Sequence, residues 1–420
     1  MEEVVRSASL VLLAPLPCPA PDGFDYRVLL LQRHAQSSSY ESAFVFPGGA
    51  LDPVDQSASL ARFLPSPAVD SAALSSHADA ASVQSLTLCA LRETFEESGL
   101  LLLAPPPTST PGALERWQAL GARERKEWRD RVHENGEEFV KMLEWLGGKG
   151  EVGLMGGEGV REWARWITPL GLPRRFDTTF FISLLPSSFV SSSSPNCSTS
   201  PVPPPTSPEP HSHHLATSDG TETTSAVWLT PGEAIRRSLL HTRSILHPAS
   251  VSPEEKEQAI VLHPPQFNLL TELATSHRSV RSLLTSNRDS GAASTPVVRP
   301  RKVPSYLPRL VRVADQAGRQ RNATVLPGDE AYPLDGAEGQ AGEKGEGVGV
   351  REGENRGEGQ GRRWNRTYVL PPSKKEGRSG LTVEGVHRGG MEAVLGEGWQ
   401  DMQVGDVGPP ASPPIRPGRL

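Results

Sequence analysis

Between Cys89 and Leu100 the chain reads CALRETFEESGL, with Glu93, Glu96 and Glu97 three and four residues apart. In a helix of about 3.6 residues per turn these carboxylates fall within an arc of roughly 100°, while Leu88, Leu91 and Phe95 gather on the opposite side. Like charges at such spacings cost about 0.2–0.5 kcal/mol per pair. Arg92, four residues before Glu96, offsets one charge and leaves two uncompensated. A fold that contains this helix must therefore place its acidic face in water or against something cationic. A hard divalent ion is one such partner, because Mg²⁺ and Mn²⁺ prefer carboxylate and carbonyl oxygens. A plain solvated helix face is the other way to satisfy the pattern.

The segments around this helix define one folded region. SASLVLLAP and DYRVLLLQR read as two strands joined by a turn rich in Pro, Gly and Asp, and AFVFPGGALD as a third strand ending in a Pro-Gly-Gly loop. Residues 53–86 are rich in Ala, Ser and Pro and read as an insertion, Gly99 as the helix cap, and LLLLA after it as a buried strand. Residues 113–146 have helical composition within an inserted helical region, 108–160, whose Trp117, Trp128 and Trp145 read as core. RWITPLGLPRRFDTTFFISLL returns to strand character, and residues 186–221 form a Ser/Pro/Thr/His tract expected to be a disordered loop. AVWLTPGEAIRRSLL reads as a strand running into a helix, with Thr230 as N-cap and Pro231 in the first turn. PPQFNLLTELATSH is a further amphipathic helix.

Composition sets the outer limits. Glycine and proline, 40 of each, cluster in blocks, and the hydrophobic share of 36% is low for a wholly globular chain. The expectation is one domain over residues 1–285 and a low-complexity, mostly disordered extension over 286–420. Within that extension KVPSYLPRLVRV, NATVLPGDEAYPL and RTYVLPPS are candidate short strands. A net charge of −6 gives no electrostatic case for nucleic-acid binding. Three scattered cysteines support neither a disulfide framework nor a zinc site, and HSHH at 211–214 lies in a tract with no partner cysteines. No stretch approaches 18 apolar residues, so the chain reads as soluble and intracellular, with no membrane segment and no evident protein partner.

Two adjacent glycines after a strand let the backbone approach a phosphate or metal closely. Taken together, FPGGALDPVD and RETFEESGL resemble the Nudix box, G-x5-E-x7-R-E-U-x-E-E-x-G-U. Gly49 supplies the first glycine, and Arg92, Glu93, Glu96, Glu97, Gly99 and Leu100 fill the second half. Asp55 stands in place of the early glutamate, and 36 residues separate it from Arg92 where the pattern has seven. A surface insertion of that size is entropically tolerable. The split box resembles the branch containing the peroxisomal acyl-coenzyme A diphosphatase, as do VHENGEEF, WITPLGLPRRFDTTFF, VWLTPGEA and LHPPQFNLLTEL.

The resemblance implies an α/β (α+β) Nudix fold, a mixed β-sheet between helices, and metal-dependent hydrolysis of a diphosphate. It implies Glu93, Glu97 and Glu96, with the Gly49 carbonyl, as ligands of Mg²⁺ or Mn²⁺, and Arg92 as the residue that orients a glutamate. Glu222, in the loop before a late strand, is the candidate general base. Arg33, Gly48, Arg174 and Arg175 are candidates for the substrate side. The implied substrate is a small molecule, coenzyme A or acyl-CoA, giving 3′,5′-ADP and (acyl-)4′-phosphopantetheine. The box reads the diphosphate and not its appendages, so ADP-ribose, NADH and capped RNA stay open, as does a non-catalytic binding module. The terminal Gly-Arg-Leu resembles a peroxisomal signal only in part, with mitochondrion and cytosol as the alternatives.

Overall fold

The computed structural model describes residues 4–34, 42–64, 80–104, 112–147, 152–156, 159–169, 174–185, 216–218, 222–284, 303–314, 320–326, 365–370, 381–388 and 391–394, together with Ser75, His77, Leu172, Gly220, Asp329 and Ser373. HSHH, most of the Ser/Pro tract, the Gly-rich run at 336–363 and the terminal Gly-Arg-Leu lie outside them. The chain divides into two compact units. The first comprises Met1–Ile167, Pro173–Thr230 and His277–Ser305, and the second Thr168–Leu172, Pro231–Ser276 and Tyr306–Leu420.

The first unit is built on a mixed sheet. Its strands are β1 (Val4–Pro15), β2 (Tyr26–Arg33), β3 (Phe44–Val45), β4 (Gly48–Ala50), β5 (Val160–Ile167), β6 (Arg175–Leu184) and β7 (Thr223–Leu229). β1 and β2 form the expected antiparallel hairpin, and β7 and β3 both pair with β2. On its other edge β1 runs parallel to β6 from Val4↔Arg175 to Leu13↔Leu184, and β5 closes antiparallel on β6. The sheet is mixed, as expected. Runs such as Leu10–Ala14 and Val28–Leu31 are fully buried, so these strands are apolar without alternation.

The acidic helix, α1, spans Ala80–Ser98, packs on β1 and β4, and buries Leu88, Leu91 and Phe95 in the core. It starts inside the stretch read as an insertion: Ala80, Ala81, Val83 and Gln84 have adequate helix propensity and simply extend it backwards. Gly99, at φ +73°, ends it, and its N–H donates to the Phe95 carbonyl. Leu100–Leu103 are buried as expected, but they are not a strand: only Leu103 forms a bridge, to Leu154. With four apolar side chains in a row, they fill a cleft and leave no alternating polar face for a sheet.

The helical insertion is observed as α2 (Ala113–Ala119), α3 (Ala122–Glu134) and α4 (Glu137–Gly147). Phe95 of α1 packs edge-on to Trp117 at 5.5 Å and against Phe139 at 5.6 Å, which joins the insertion to the core of the sheet. Trp117 is therefore core, whereas Trp145 is 47% exposed and pairs with Trp128.

The second unit holds α5 (Pro231–Leu246), α6 (Pro264–Ser276) and an antiparallel five-stranded sheet, Arg309–Ala314, Gln320–Val325, Asn365–Leu370, Thr382–Arg388 and Met391–Val394. Three of these strands fall in the stretches singled out from sequence. They do not form an isolated tail. Asn268 donates to Thr367 (2.7 Å) and Thr242 to the Val383 carbonyl (2.5 Å), so α5 and α6 share a buried polar interface with this sheet. The two units interleave along the chain: Pro231–Ser276 belongs with this sheet, whereas His277–Ser305 belongs to the first unit.

Candidate active site

The site forms where α1 crosses β4. β4 pairs with β1 in the register Ser9↔Gly48 and Ala8↔Gly49. A Cβ at Gly48 would lie 2.3 Å from the Ala8 carbonyl oxygen, and one at Gly49 would lie 2.4 Å from the Glu93 carboxyl carbon. The two glycines thus do different jobs: one lets β4 lie against β1, and the other lets the Glu93 carboxylate rest on the backbone. The Gly48 N–H donates to Glu97 Oε2 at 2.8 Å. The Gly49 carbonyl accepts the Cys89 thiol at 3.7 Å.

The acidic face is not solvated. Glu96 is 5% exposed and Glu97 2%. What makes this burial possible is Arg92, whose Nε and Nη2 donate to the two oxygens of Asp55, both at 2.8 Å. Its Nη1 donates to Glu96 Oε1 at 2.7 Å and lies 3.0 Å from Glu93 Oε1. One guanidinium therefore serves three carboxylates. Burial opposes its charge, but Asp55, Glu93 and Glu96 outweigh that and hold it above its ordinary value. Asp55 is set in place by the DPVD turn. The Asp52 side chain accepts the Val54 N–H, Pro53 opens the turn, and Asp55 accepts the Asp52 N–H at 2.9 Å.

Burial raises the pKa of each glutamate. For Glu93 it is pushed up to about 7, because desolvation and the charges of Glu96, Asp55 and Glu222 outweigh Arg92. Glu97 is held well above the carboxylate range by burial and by Glu93, against the Gly48 N–H and Arg33. Glu96 is raised by burial against the pull of Arg92. Two of these groups thus carry a standing electrostatic penalty that an added cation would relieve.

The site is completed from three directions. Arg33, at the end of β2, lies 3.8 Å from Glu222, which stands just before β7. Glu222 is half exposed and its charge is felt by all three helix glutamates. From the insertion, His133 Nδ1 stands 3.7 Å from Glu96 Oε2. Arg129, buried on α3, donates from Nε to the Glu96 carbonyl at 2.5 Å and from Nη1 to Thr217 Oγ1 and the Ser218 carbonyl. The structure thus gathers Arg33, Gly48, Gly49, Arg92, Glu93, Glu96, Glu97 and Glu222. It leaves Arg174 and Arg175 apart: Arg175 pairs with Val4, four to five residues along β1 from the glycines, or roughly 13–17 Å at strand spacing.

Asp55, Arg129 and His133 were not identified as members of this site from sequence. Asp55 did stand at the box's early acidic position, and His133 opens HENGEEF, but only the fold shows what either touches.

The donor set fits a hard divalent cation. Glu97 Oε1 is buried with no hydrogen-bond partner and Glu93 lies beside it in the electrostatics, so two carboxylates have unspent acceptor capacity. Glu96 is turned to Arg92 and His133. Among the described residues no three acidic, His or Cys side chains already converge as a coordination shell. Also among them, no helix is long and apolar enough to cross a membrane.

A family model described as the NUDT19 Nudix domain matches residues 66–197, which contain Arg92 to Leu100 and the helical insertion. Acyl-coenzyme A diphosphatase NUDT19 of Gallus gallus is 31% identical over 362 residues, 79% of this chain and 80% of that protein. The protein of the same name from Xenopus laevis is 28% identical over 338 residues, 74% and 72% of the two chains. That from Homo sapiens is 32% identical over 220 residues, 43% of this chain and 56% of the other.

Proposed function

Because the chain belongs to the Nudix hydrolases, in the family of acyl-coenzyme A diphosphatase NUDT19, we propose that it hydrolyses the diphosphate of coenzyme A or acyl-CoA, giving 3′,5′-ADP and 4′-phosphopantetheine or its acyl form. The observation that carries this reading is the pair of electrostatically penalised carboxylates, Glu97 buried and Glu93 14% exposed, seated against a glycine backbone. Such a pair suits the chemistry of a substrate whose reacting bond is anionic on both sides.

Glu93 and Glu97 would hold the divalent ion, Mg²⁺ or Mn²⁺ by the hardness of their oxygens. When bound, that ion supplies charge neutralisation at the bridging oxygen and lowers the pKa of the attacking water. The chain's own residues do the rest. Arg92 fixes Glu93 and Glu96 through its bidentate hold on Asp55. Gly48 orients Glu97 through its N–H. Glu222 accepts the proton of the water, reaching it from the half-exposed position beside Arg33. Arg33 faces the incoming phosphate. Arg174 and Arg175 serve the far end of an extended substrate.

The test is hydrolysis of free coenzyme A, a short and a long acyl-CoA, ADP-ribose and NADH, with Mg²⁺ and then Mn²⁺, against Glu97→Gln. Release of 3′,5′-ADP from the CoA compounds, absent in the variant, supports the proposal. Turnover of ADP-ribose or NADH alone would replace the substrate and keep the chemistry. No turnover would leave a binding module.

A further inference from the structure

Beyond the C-terminal end of the acidic helix lies a cavity of about 400 Å³. Leu100, Leu101 and Trp117 are buried in its wall beside the buried Arg129, and Leu114 extends the apolar part of that surface. Gln118, Ala122, Arg125, Lys126 and Asp130 of the insertion helices complete the lining with Thr217 and Ser218. The volume lies within the roughly 300–1,000 Å³ of small-molecule pockets, and the lining joins an apolar patch to several polar and charged side chains.

The position of the cavity is informative. Gly99 stands six residues past Glu93, about 9 Å along the helix axis. Thr217 and Ser218, which line the cavity, are tied to the acidic helix. These are held by the Thr217 N–H to the Ser98 carbonyl (2.9 Å) and by Arg129, which bonds Glu96 on the same helix. The arm between the diphosphate and thioester of an acyl-CoA contains two amide units and a thioethyl group. Extended, it reaches roughly 15 Å at backbone-like spacing. A substrate with its diphosphate on the glutamates therefore has its thioester within reach of this cavity.

We propose that the cavity is the acyl subsite: it takes the hydrocarbon chain of an acyl-CoA, and the helical insertion exists in part to build it. This rests on the coenzyme A reading above. A hydrocarbon chain suits the patch of Leu100, Leu101, Leu114 and Trp117 because it needs no hydrogen-bond partner there, while Arg129 keeps its bonds to Glu96, Thr217 and Ser218.

The test uses the full-length protein with two plugging variants at exposed positions, Ala122→Trp and Gln118→Trp, each first matched to wild type by melting temperature. Steady-state kinetics on free coenzyme A, butyryl-CoA and lauroyl-CoA give the ratio of kcat/KM for the long ester over free coenzyme A. The expected result is a fall in that ratio of about tenfold or more, mainly through KM, as for a hydrophobic subsite that loses room. Equilibrium binding of lauroyl-CoA in EDTA should weaken in parallel. An unchanged ratio in both folded variants would overturn the proposal, and so would an equal loss on all three substrates, which would assign the cavity to the nucleotide or pantetheine. Absence of turnover on any CoA compound by wild type would instead overturn the coenzyme A reading.

Discussion

Replacing Glu93 by glutamine tests whether the buried carboxylates carry a penalty that a cation relieves. In the folded protein the Glu93 pKa is about 7 against an ordinary value of 4.5, with burial as the largest cause. A carboxyl whose pKa is raised on folding binds its proton more tightly in the folded state. Its stabilising contribution is therefore complete below about pH 4.5 and is lost as the pH climbs through 7. The shift of about 2.5 units corresponds to at most ~3 kcal/mol at pH 8, at 1.36 kcal/mol per unit. Glu93 is only 14% exposed, so solvent screening takes little of this. The amide introduced by Glu93→Gln cannot ionise, and Arg92 keeps Asp55 and Glu96 as partners. In EDTA the wild type should lose up to ~3 kcal/mol more stability than Glu93→Gln between pH 5 and pH 8. Mg²⁺ should restore the wild type and leave the variant unmoved. Urea unfolding at four pH values, with and without metal, measures both. Parallel pH curves for the two proteins in EDTA would refute the reasoning, because they would show that Glu93 is not strained by its surroundings.

Other substitutions probe the same assembly. Glu97→Gln should lose most of the rise in melting temperature that Mg²⁺ or Mn²⁺ gives the wild type, and a wild type indifferent to both ions would count against the cradle. Asp55→Ala leaves the buried Arg92 short of its bidentate partner and should cost about 3–5 kcal/mol in chemical denaturation; a loss below ~1 kcal/mol would mean that Glu93 and Glu96 suffice. Gly49→Ala places a methyl 2.4 Å from the Glu93 carboxyl carbon and should cut kcat by about a hundredfold, a displaced group being worth that much, with a smaller change in KM. Glu222→Gln should lower kcat by a factor of ~10²–10⁴ and flatten its acidic pH limb, while metal-induced stabilisation persists. An unaltered pH profile would remove Glu222 as the base.

The site was legible from sequence wherever its geometry follows from helix spacing. Glu93, Glu96, Glu97 and the apolar face opposite them are separated by three and four residues, and one dihedral pattern places them all. Arg92 was expected to orient a glutamate, and in the fold it donates to Glu96. Its main partner is Asp55, which no local rule connects to it across 36 intervening residues. Arg129 and His133 were equally hidden, because an arginine or histidine on an inserted helix looks like surface until the helix is docked. In the fold, the β1–β2 hairpin and the helix start at Pro231 were readable from turn and helix-start residues, although the Thr230 hydroxyl donates to Asp22. The strands beyond residue 303 were readable singly, but their union into a sheet packed on α5 and α6 depends on contacts such as Asn268–Thr367, which periodicity cannot express.

The parallel pairing of β1 with β6 has a kinetic consequence. Partners in this ladder, such as Ser7 and Thr178, are 171 residues apart, so the sheet cannot close until a long loop has been paid for in entropy. The acidic helix is complete at Ser98, whereas β7, the last strand bearing on the site, ends at Leu229. At ribosomal rates of about 5–20 residues per second, roughly 7–26 s pass between the two. During that interval Glu93, Glu96 and Glu97 belong to a nascent chain bathed in water and cellular cations. Closure of the sheet, and not synthesis of the helix, is thus the moment at which their burial is imposed.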